Sequence, residues 1–144
     1  MDTHQITLVQ TTFADVATHA DEFSAVFYDH LFTIEPSLRS MFAADLSGQR
    51  QKLIDELAFI VDNLGQLPPL MARATDLGRR HVDYGVQPLH YDMVLDATLF
   101  ALRAVLGDRV TNEVEIAWRR AYNLAAEMML HGANSPAATF IDYD

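Results

Sequence analysis

Six histidines and no cysteine set the chemistry open to this 144-residue chain. Without a thiol there is no disulfide framework, no thiolate zinc site, no iron–sulfur cluster and no cysteine nucleophile. The histidines are His4, His19, His30, His81, His90 and His131, and no two of them are four residues apart. His81 and His90 stand nine apart across an expected helix break, a weak pattern for a shared metal. No G-x-S-x-G motif and no glycine-rich phosphate loop is present, so serine-triad and nucleotide chemistry have no support.

His81 is set apart by its placement. Leu70, Ala74, Leu77, His81 and Tyr84 recur at steps of 4, 3, 4 and 3, one face of a helix whose other face carries Arg73, Asp76, Arg79, Arg80 and Asp83. An imidazole on an apolar stripe needs a partner for its nitrogens. It is either a core histidine bonded to a backbone carbonyl or an axial ligand to a metal-bearing group. Gln49 opens the inner face of another helix, one turn before Leu53. It is either a helix-end surface residue or an amide donor directed into a pocket. Tyr28, among the phenylalanines of a second helix, is a core tyrosine with a satisfied hydroxyl or a hydroxyl aimed at a ligand. Phe42, six residues after Pro36, is by itself an aromatic at a corner. Asp55 and Glu56 are adjacent, point in different directions on a helix and read as a solvated face.

The elements that must position these residues are helices. Apolar positions recur at three- and four-residue steps almost throughout, with no sustained alternation and no hairpin turn signal. The first helix is expected over about Thr3–His19, with Ile6, Val9, Phe13 and Val16 inside. The second begins near Asp21 as N-cap and ends before Pro36, which starts a short third helix. Ser47 is expected to cap a helix reaching Leu64, and Gly65 with Pro68–Pro69 breaks it. The next runs from about Pro69 to Tyr84 with Gly85 as its stop. Another runs from Pro88 to Gly107, and a last one from Thr111 to about Gly132. The expectation is an all-α chain of six long helices and one short one. Periodicity leaves open whether they form an up-down bundle or a packing of crossed helices.

Formal net charge is −10, which disfavours a nucleic-acid partner. No run is long enough to span a bilayer, and the start, MDTHQITLVQ, lacks the features of a secretory signal. The expected location is the cytoplasm, and no membrane partner is expected.

Taken in order, several segments resemble the globin family, above all the bacterial single-domain haemoglobins and the haem domain of flavohaemoglobins. Phe27-Tyr28-Asp29-His30-Leu31-Phe32 is similar to the helix whose tyrosine faces the bound gas. Glu35-Pro36-Ser37-Leu38-Arg39-Ser40-Met41-Phe42 resembles the corner that packs on the haem edge. Gly48-Gln49-Arg50-Gln51-Lys52-Leu53 resembles the distal helix. Arg80-His81-Val82, through Gln87-Pro88 and Tyr91, resembles the proximal stretch, and Trp118-Arg119-Arg120-Ala121-Tyr122 the final helix. His81 follows Gln49 by 32 residues, which suits the family's distal-to-proximal interval. The likeness runs from about residue 5 to 132.

The resemblance implies a globin fold over 1–132 with a loosely ordered tail over 133–144. It implies one non-covalent haem b, since a c-type attachment needs cysteines. His81 would ligate the iron, and the opposite position would be open or hold water. Tyr28 and Gln49 would donate hydrogen bonds to a bound gas. Phe42 would pack on the porphyrin, and Leu53, Val86 and Leu95 would keep the pocket dry. Leu77 shares the face of His81, and Tyr91 matches a proximal tyrosine. Lys52 or Arg80 would reach a propionate or remain solvated. The ligands implied are dioxygen, nitric oxide and carbon monoxide.

Two departures stand out. Ser135 falls roughly where the family has a glutamate that polarises the proximal histidine, and the sequence stops at Asp144 without flavin and nicotinamide domains. Three functions stay open: oxygen binding or delivery, nitric oxide dioxygenation with a separate reductase, and a sensor or scaffold without turnover. The missing reductase domain weighs against the second, and two pocket donors weigh against a haem-free third. Oligomeric state has no signature in the sequence.

Overall fold

A computed structural model describes the backbone of residues 1–83 and 90–134, and their side chains except those of 81–83 and 131–134. Every regular element among the described residues is helical. The order is α1 (Thr3–Ala17), α2 (Ala20–Ile34), a 3₁₀ turn (Pro36–Met41), α3 (Ser47–Asp62), α4 (Leu67–Asp83), α5 (His90–Leu106), a second 3₁₀ turn (Gly107–Arg109) and α6 (Asn112–Asn134). The expected all-α architecture is what the chain adopts.

Local chemistry accounts for the boundaries. Asp2 caps α1: its carboxylate accepts from the Gln5 backbone N–H at 2.8 Å, and the Gln5 side chain accepts from the Asp2 N–H at 3.2 Å. That reciprocal arrangement satisfies two otherwise orphaned donors. The second helix starts at Ala20, and His19 rather than Asp21 holds the cap position, with no side-chain capping bond to the helix. Ser47 is the first residue of α3 rather than its cap, and the Asp45 carboxylate takes the Ser47 N–H at 3.0 Å. The fourth helix begins at Leu67, ahead of the expected Pro69. Both prolines lie in its first turn, where a missing N–H leaves no bond unmade. Gly107 ends α5 with φ +58°, a conformation that suits glycine. Thr111 accepts from the Val114 N–H at 3.2 Å and so opens α6 as expected. The expected stop around Tyr84 and Gly85, the start at Pro88 and the tail after Asn134 lie outside the described residues.

The main interfaces join helices distant in sequence: α4 packs on α6, and α2 on α5. Helix α1 leans on α6 and α3, and α3 also leans on α2. In an up-down bundle with short loops the largest interfaces would lie between sequence neighbours, so the crossed-helix alternative is the one realised. Phe23, Leu70, Leu99 and Leu102, from α2, α4 and α5, are essentially fully buried, and each such side chain contributes about 1.5–3 kcal/mol. No described helix is long and apolar enough to cross a membrane.

One buried polar pair ties the ends of the chain together. The Trp118 indole N–H of α6 donates to the Thr12 hydroxyl of α1 at 2.8 Å, and both residues are buried. Thr12→Val keeps the shape but strands the indole N–H. It is expected to lower unfolding free energy by about 1–3 kcal/mol, measured by urea denaturation; a change within about 0.5 kcal/mol would remove this pair as a structural tie.

Candidate functional site

Tyr28 lies on the inward face of α2 and is 4% exposed. Aromatic rings enclose it: Phe27 edge-on at 4.9 Å, Phe42 edge-on at 5.7 Å and Phe32 at 5.8 Å between centroids. Into this apolar cluster projects the side-chain amide of Gln49, whose Nε2 donates to the Tyr28 hydroxyl oxygen at 3.2 Å. Burial raises the Tyr28 phenol above its ordinary value of 10.0, and the Gln49 hydrogen bond partly offsets that rise. The sign is that of a group whose neutral form the fold prefers. Its contribution to stability is complete below about pH 10 and is lost as pH climbs through the higher folded value. Near neutrality the hydroxyl keeps its proton and can donate it.

Two arginines hold the partners in place. Gln49 sits in the first turn of α3, and its neighbour Arg50 donates Nε–H to the Ser24 hydroxyl at 2.9 Å and Nη2–H to the Asp21 carbonyl at 2.5 Å. Ser24 is one turn before Tyr28 on α2, so Arg50 fastens the start of α3 beside the tyrosine. Arg39 organises the corner after the 3₁₀ turn, donating to the carbonyls of Phe42, Ala43 and Ala44 at 3.3, 2.9 and 2.8 Å. Its guanidinium also stands 5.4 Å over the Phe32 ring, a cation–π contact. Phe42 is thereby fixed against Tyr28 and Phe32.

The other residues singled out in the sequence are distributed as follows. Leu53, one turn beyond Gln49, is half-buried and packs against the core, and Lys52 is exposed. On α4, Leu70, Ala74 and Leu77 are buried, which confirms the apolar stripe as far as it is described. His81 is in α4 four residues after Leu77; its side chain lies outside the described residues, as do Val86 and Ser135. Arg80 faces solvent and pairs with Asp76 at 3.2 Å. Tyr91 and Leu95 are buried one turn apart on α5. The Tyr91 carbonyl accepts from the Tyr122 hydroxyl, and burial, first of all, pushes the Tyr122 phenol far up. The structure thus brings Tyr28, Gln49 and Phe42 into one cluster, and places Lys52 and Arg80 at the surface.

Three features escaped the sequence reading. Arg50 with Ser24, and Arg39 with its three carbonyls, join residues through bonds that no local pattern announces. Glu56, expected to be solvated, is in fact largely sheltered and pairs with Arg73 of α4, while Asp55 does remain exposed. His30, by contrast, faces away from Tyr28 as a separation of two residues on a helix dictates: its ring stacks on Phe100 at 4.0 Å and its Nε2 is 3.6 Å from Asp96.

A model of the Globin family matches residues 25–129, a span that includes Tyr28, Gln49 and His81. The chain belongs to the globin family. It is 33% identical over 132 residues to the flavohemoprotein of Xylella fastidiosa strain Temecula1, covering 88% of this chain and 32% of that one. It is 27% identical over 133 residues to the flavohemoprotein of Bacillus subtilis, covering 90% and 33%. This globin therefore spans about a third of the length of the curated relatives it matches. Among solved structures, an engineered carbene transferase from Rhodothermus marinus, named for nitric oxide dioxygenase activity, superposes with a TM-score of 0.84 at 25% identity over 99% of both chains. A bacterial globin from Campylobacter jejuni superposes with a TM-score of 0.81 at 20% identity, over 92% of this chain and 96% of that one, and shares the fold.

The donor set fits the cofactor of the family. Among the described residues no cluster of three histidine, cysteine, aspartate or glutamate side chains could cage a bare metal ion. Apolar walls around two neutral donors suit a planar, largely apolar group that brings its own ligands, as haem does. Replacing Gln49 by leucine removes the hydrogen bond that lowers the Tyr28 phenol. An ultraviolet pH titration of Gln49→Leu, differenced against Tyr28→Phe, is expected to show Tyr28 ionising at still higher pH. A downward or absent shift would mean that the amide does not reach the phenol.

Proposed function

We propose that this globin binds one haem b within residues 1–132, with His81 as the iron ligand, and holds a diatomic gas, dioxygen in the first place, under a hydrogen bond from Tyr28. The observation that carries the reading is the Gln49 amide donating to a buried tyrosine hydroxyl at 3.2 Å inside an aromatic enclosure. The amide takes an acceptor site of that hydroxyl and leaves the tyrosine O–H available to donate within the enclosure. Phe42 and Leu53 would wall the gas side; Leu77, Tyr91, Val86 and Leu95 would line the other parts of the pocket. Lys52, exposed beside Leu53, would meet a propionate more freely than Arg80, which Asp76 already engages.

When bound, haem supplies a ferrous iron that passes electron density to a diatomic gas. The chain's own part is to meet that charge. Gln49 occupies a lone pair of the Tyr28 oxygen, so the tyrosine proton is turned away from the amide and left to donate elsewhere. A fixed donor in a dry enclosure stabilises developing negative charge better than water does. One such bond, about 1.4 kcal/mol, slows gas release roughly tenfold. Carbon monoxide, less polarised, gains less from the same donor.

A second reading, nitric oxide dioxygenation, is favoured by the naming of the Rhodothermus marinus neighbour. It consumes nitric oxide and dioxygen to give nitrate and takes one electron per turnover. In this reading a separate reductase supplies the electron. Nitrate formation under a nitric oxide electrode, with an added reductase, separates it from simple oxygen binding.

The variants divide the roles. His81→Ala should abolish the native Soret band and haem retention; unchanged coordination would refute the ligand assignment. Tyr28→Phe should raise the oxygen dissociation rate by roughly tenfold, and Gln49→Leu by less, since the amide acts in part through the tyrosine. The double variant should fall well short of the product of the two, because the groups share one hydrogen-bond chain. Stopped-flow displacement by carbon monoxide measures all three. Rates equal to wild type in both single variants would end the polar-pocket mechanism. The ferrous, ligand-free spectrum should not be bis-histidine, since His30 is engaged with Phe100 and Asp96.

A further inference from the structure

Helix α4 comes up against the α6 backbone at Gly78. A methyl group built on Gly78 would stand 1.8 Å from the Met129 carbonyl oxygen, 2.6 Å from its carbonyl carbon and 2.9 Å from its Cα. All three atoms are backbone, so no rotamer change on α6 relieves the clash. A normal carbon–oxygen contact of about 3.4 Å would require the two helices to part by roughly 1.5 Å at this point. Gly78 is mid-helix and buried, where glycine is a poor choice on propensity alone. What the position requires is space. Ala74, one turn earlier on the same face, is also small and is 1% exposed.

The place of this contact gives it a role beyond packing. His81 is three residues from Gly78 and four from Leu77, less than or about one helical turn. A displacement of α4 at Gly78 is therefore passed to His81 nearly whole, whereas a displacement at Leu70 lies three turns away. Metal–ligand bonds tolerate about 0.2 Å, well under the shift that a side chain at residue 78 would force.

We infer that Gly78 is a positioning residue for the iron ligand: its missing side chain lets α4 seat against the α6 backbone at Met129, and this seating fixes where His81 stands. The inference rests on His81 being the ligand. Its test is a spectroscopic signature of the ligand bond, the iron–histidine stretch in the resonance Raman spectrum of the ferrous, gas-free holoprotein, alongside the rate of haem loss to an acceptor protein. In Gly78→Ala the stretch is expected to shift and haem loss to accelerate at least tenfold. Leu70→Ala, which weakens the same helix far from His81, should lower thermal stability and leave the stretch where it was. In a His81→Gly background reconstituted with free imidazole, the ligand is untethered, and adding Gly78→Ala should no longer move the iron–imidazole stretch.

Should Gly78→Ala not fold, Ala74→Val is a softer wedge on the same face, and a smaller shift in the same direction is expected from it. A Gly78→Ala protein, or failing that Ala74→Val, that is destabilised but has the wild-type stretch overturns the inference and leaves His81 as ligand. A shift that persists in the imidazole-supplemented background also overturns it. A wild-type spectrum whose stretch survives His81→Ala instead removes the ligand assignment, and the inference with it.

Discussion

Two long-range seams carry this globin, α2 against α5 and α4 against α6, and the candidate site exists only once both are closed. Tyr28 is on α2, Gln49 on α3 and His81 on α4; α2 and α4 have their main interfaces with helices distant in sequence, and α3 divides its contacts between α1 and α2. Consecutive helices α3 and α4 take different partners, α1 and α2 for the first and α6 for the second. Loop closure across tens of residues must therefore precede any contact between the polar groups. The burial of residues such as Phe23, Leu70, Leu99 and Leu102 opposes that entropy. Where α3 and α4 do meet, Glu56 pairs with Arg73, and the Arg73 guanidinium covers the Phe59 ring at 4.8 Å. Both side chains are partly exposed, so the ion pair itself adds little stability.

The helices were legible because their information is local. Pro36, Gly107 and Thr111 act through their own backbone geometry or through a bond to a residue three positions away, and each ended or began an element as its chemistry dictates. The misplaced starts have equally local explanations. Pro68 and Pro69 resemble breakers, yet a proline in a first turn costs no hydrogen bond. Ser47 falls inside α3 because Leu46 takes the cap position, and the Asp45 carboxylate two residues upstream accepts the N–H that Ser47 then presents. The apolar stripe through Leu70, Ala74 and Leu77 was readable from its spacing alone, since burial follows the helical period.

The site was legible in its residues and less so in its connections. Tyr28 and Gln49 could be named individually, but the direction of the bond between them could not, because it depends on how α3 is docked on α2. Their separation of 21 residues includes the 3₁₀ turn and the corner, and nothing in the intervening sequence encodes the docking angle. Glu56 was misread for the same reason. It pairs with Arg73 of α4, which lies beyond a loop, whereas Asp55 beside it accepts from Gln51 within α3 and stayed exposed.

The reach of Gln49 depends on a residue that has no polar role in the pocket. First turns of helices fray, and an amide at the third position of α3 would be a loosely held donor if left to itself. Arg50 counters this by binding both the Ser24 hydroxyl and the Asp21 carbonyl, two points on the first turns of α2. Ser24, in turn, bonds the Asp21 carbonyl at 3.2 Å, so the guanidinium docks on a small network already tied to the helix backbone. Ser24 and Tyr28 are four residues apart and share a face of α2. Arg50 and Gln49 are adjacent on α3 and must diverge by about 100°. With Arg50 gripping the earlier turn, the remaining direction available to Gln49 is along α2 toward the later one, where the Tyr28 hydroxyl stands. A partly exposed cation thus sets the geometry of a neutral, part-buried hydrogen bond beside it.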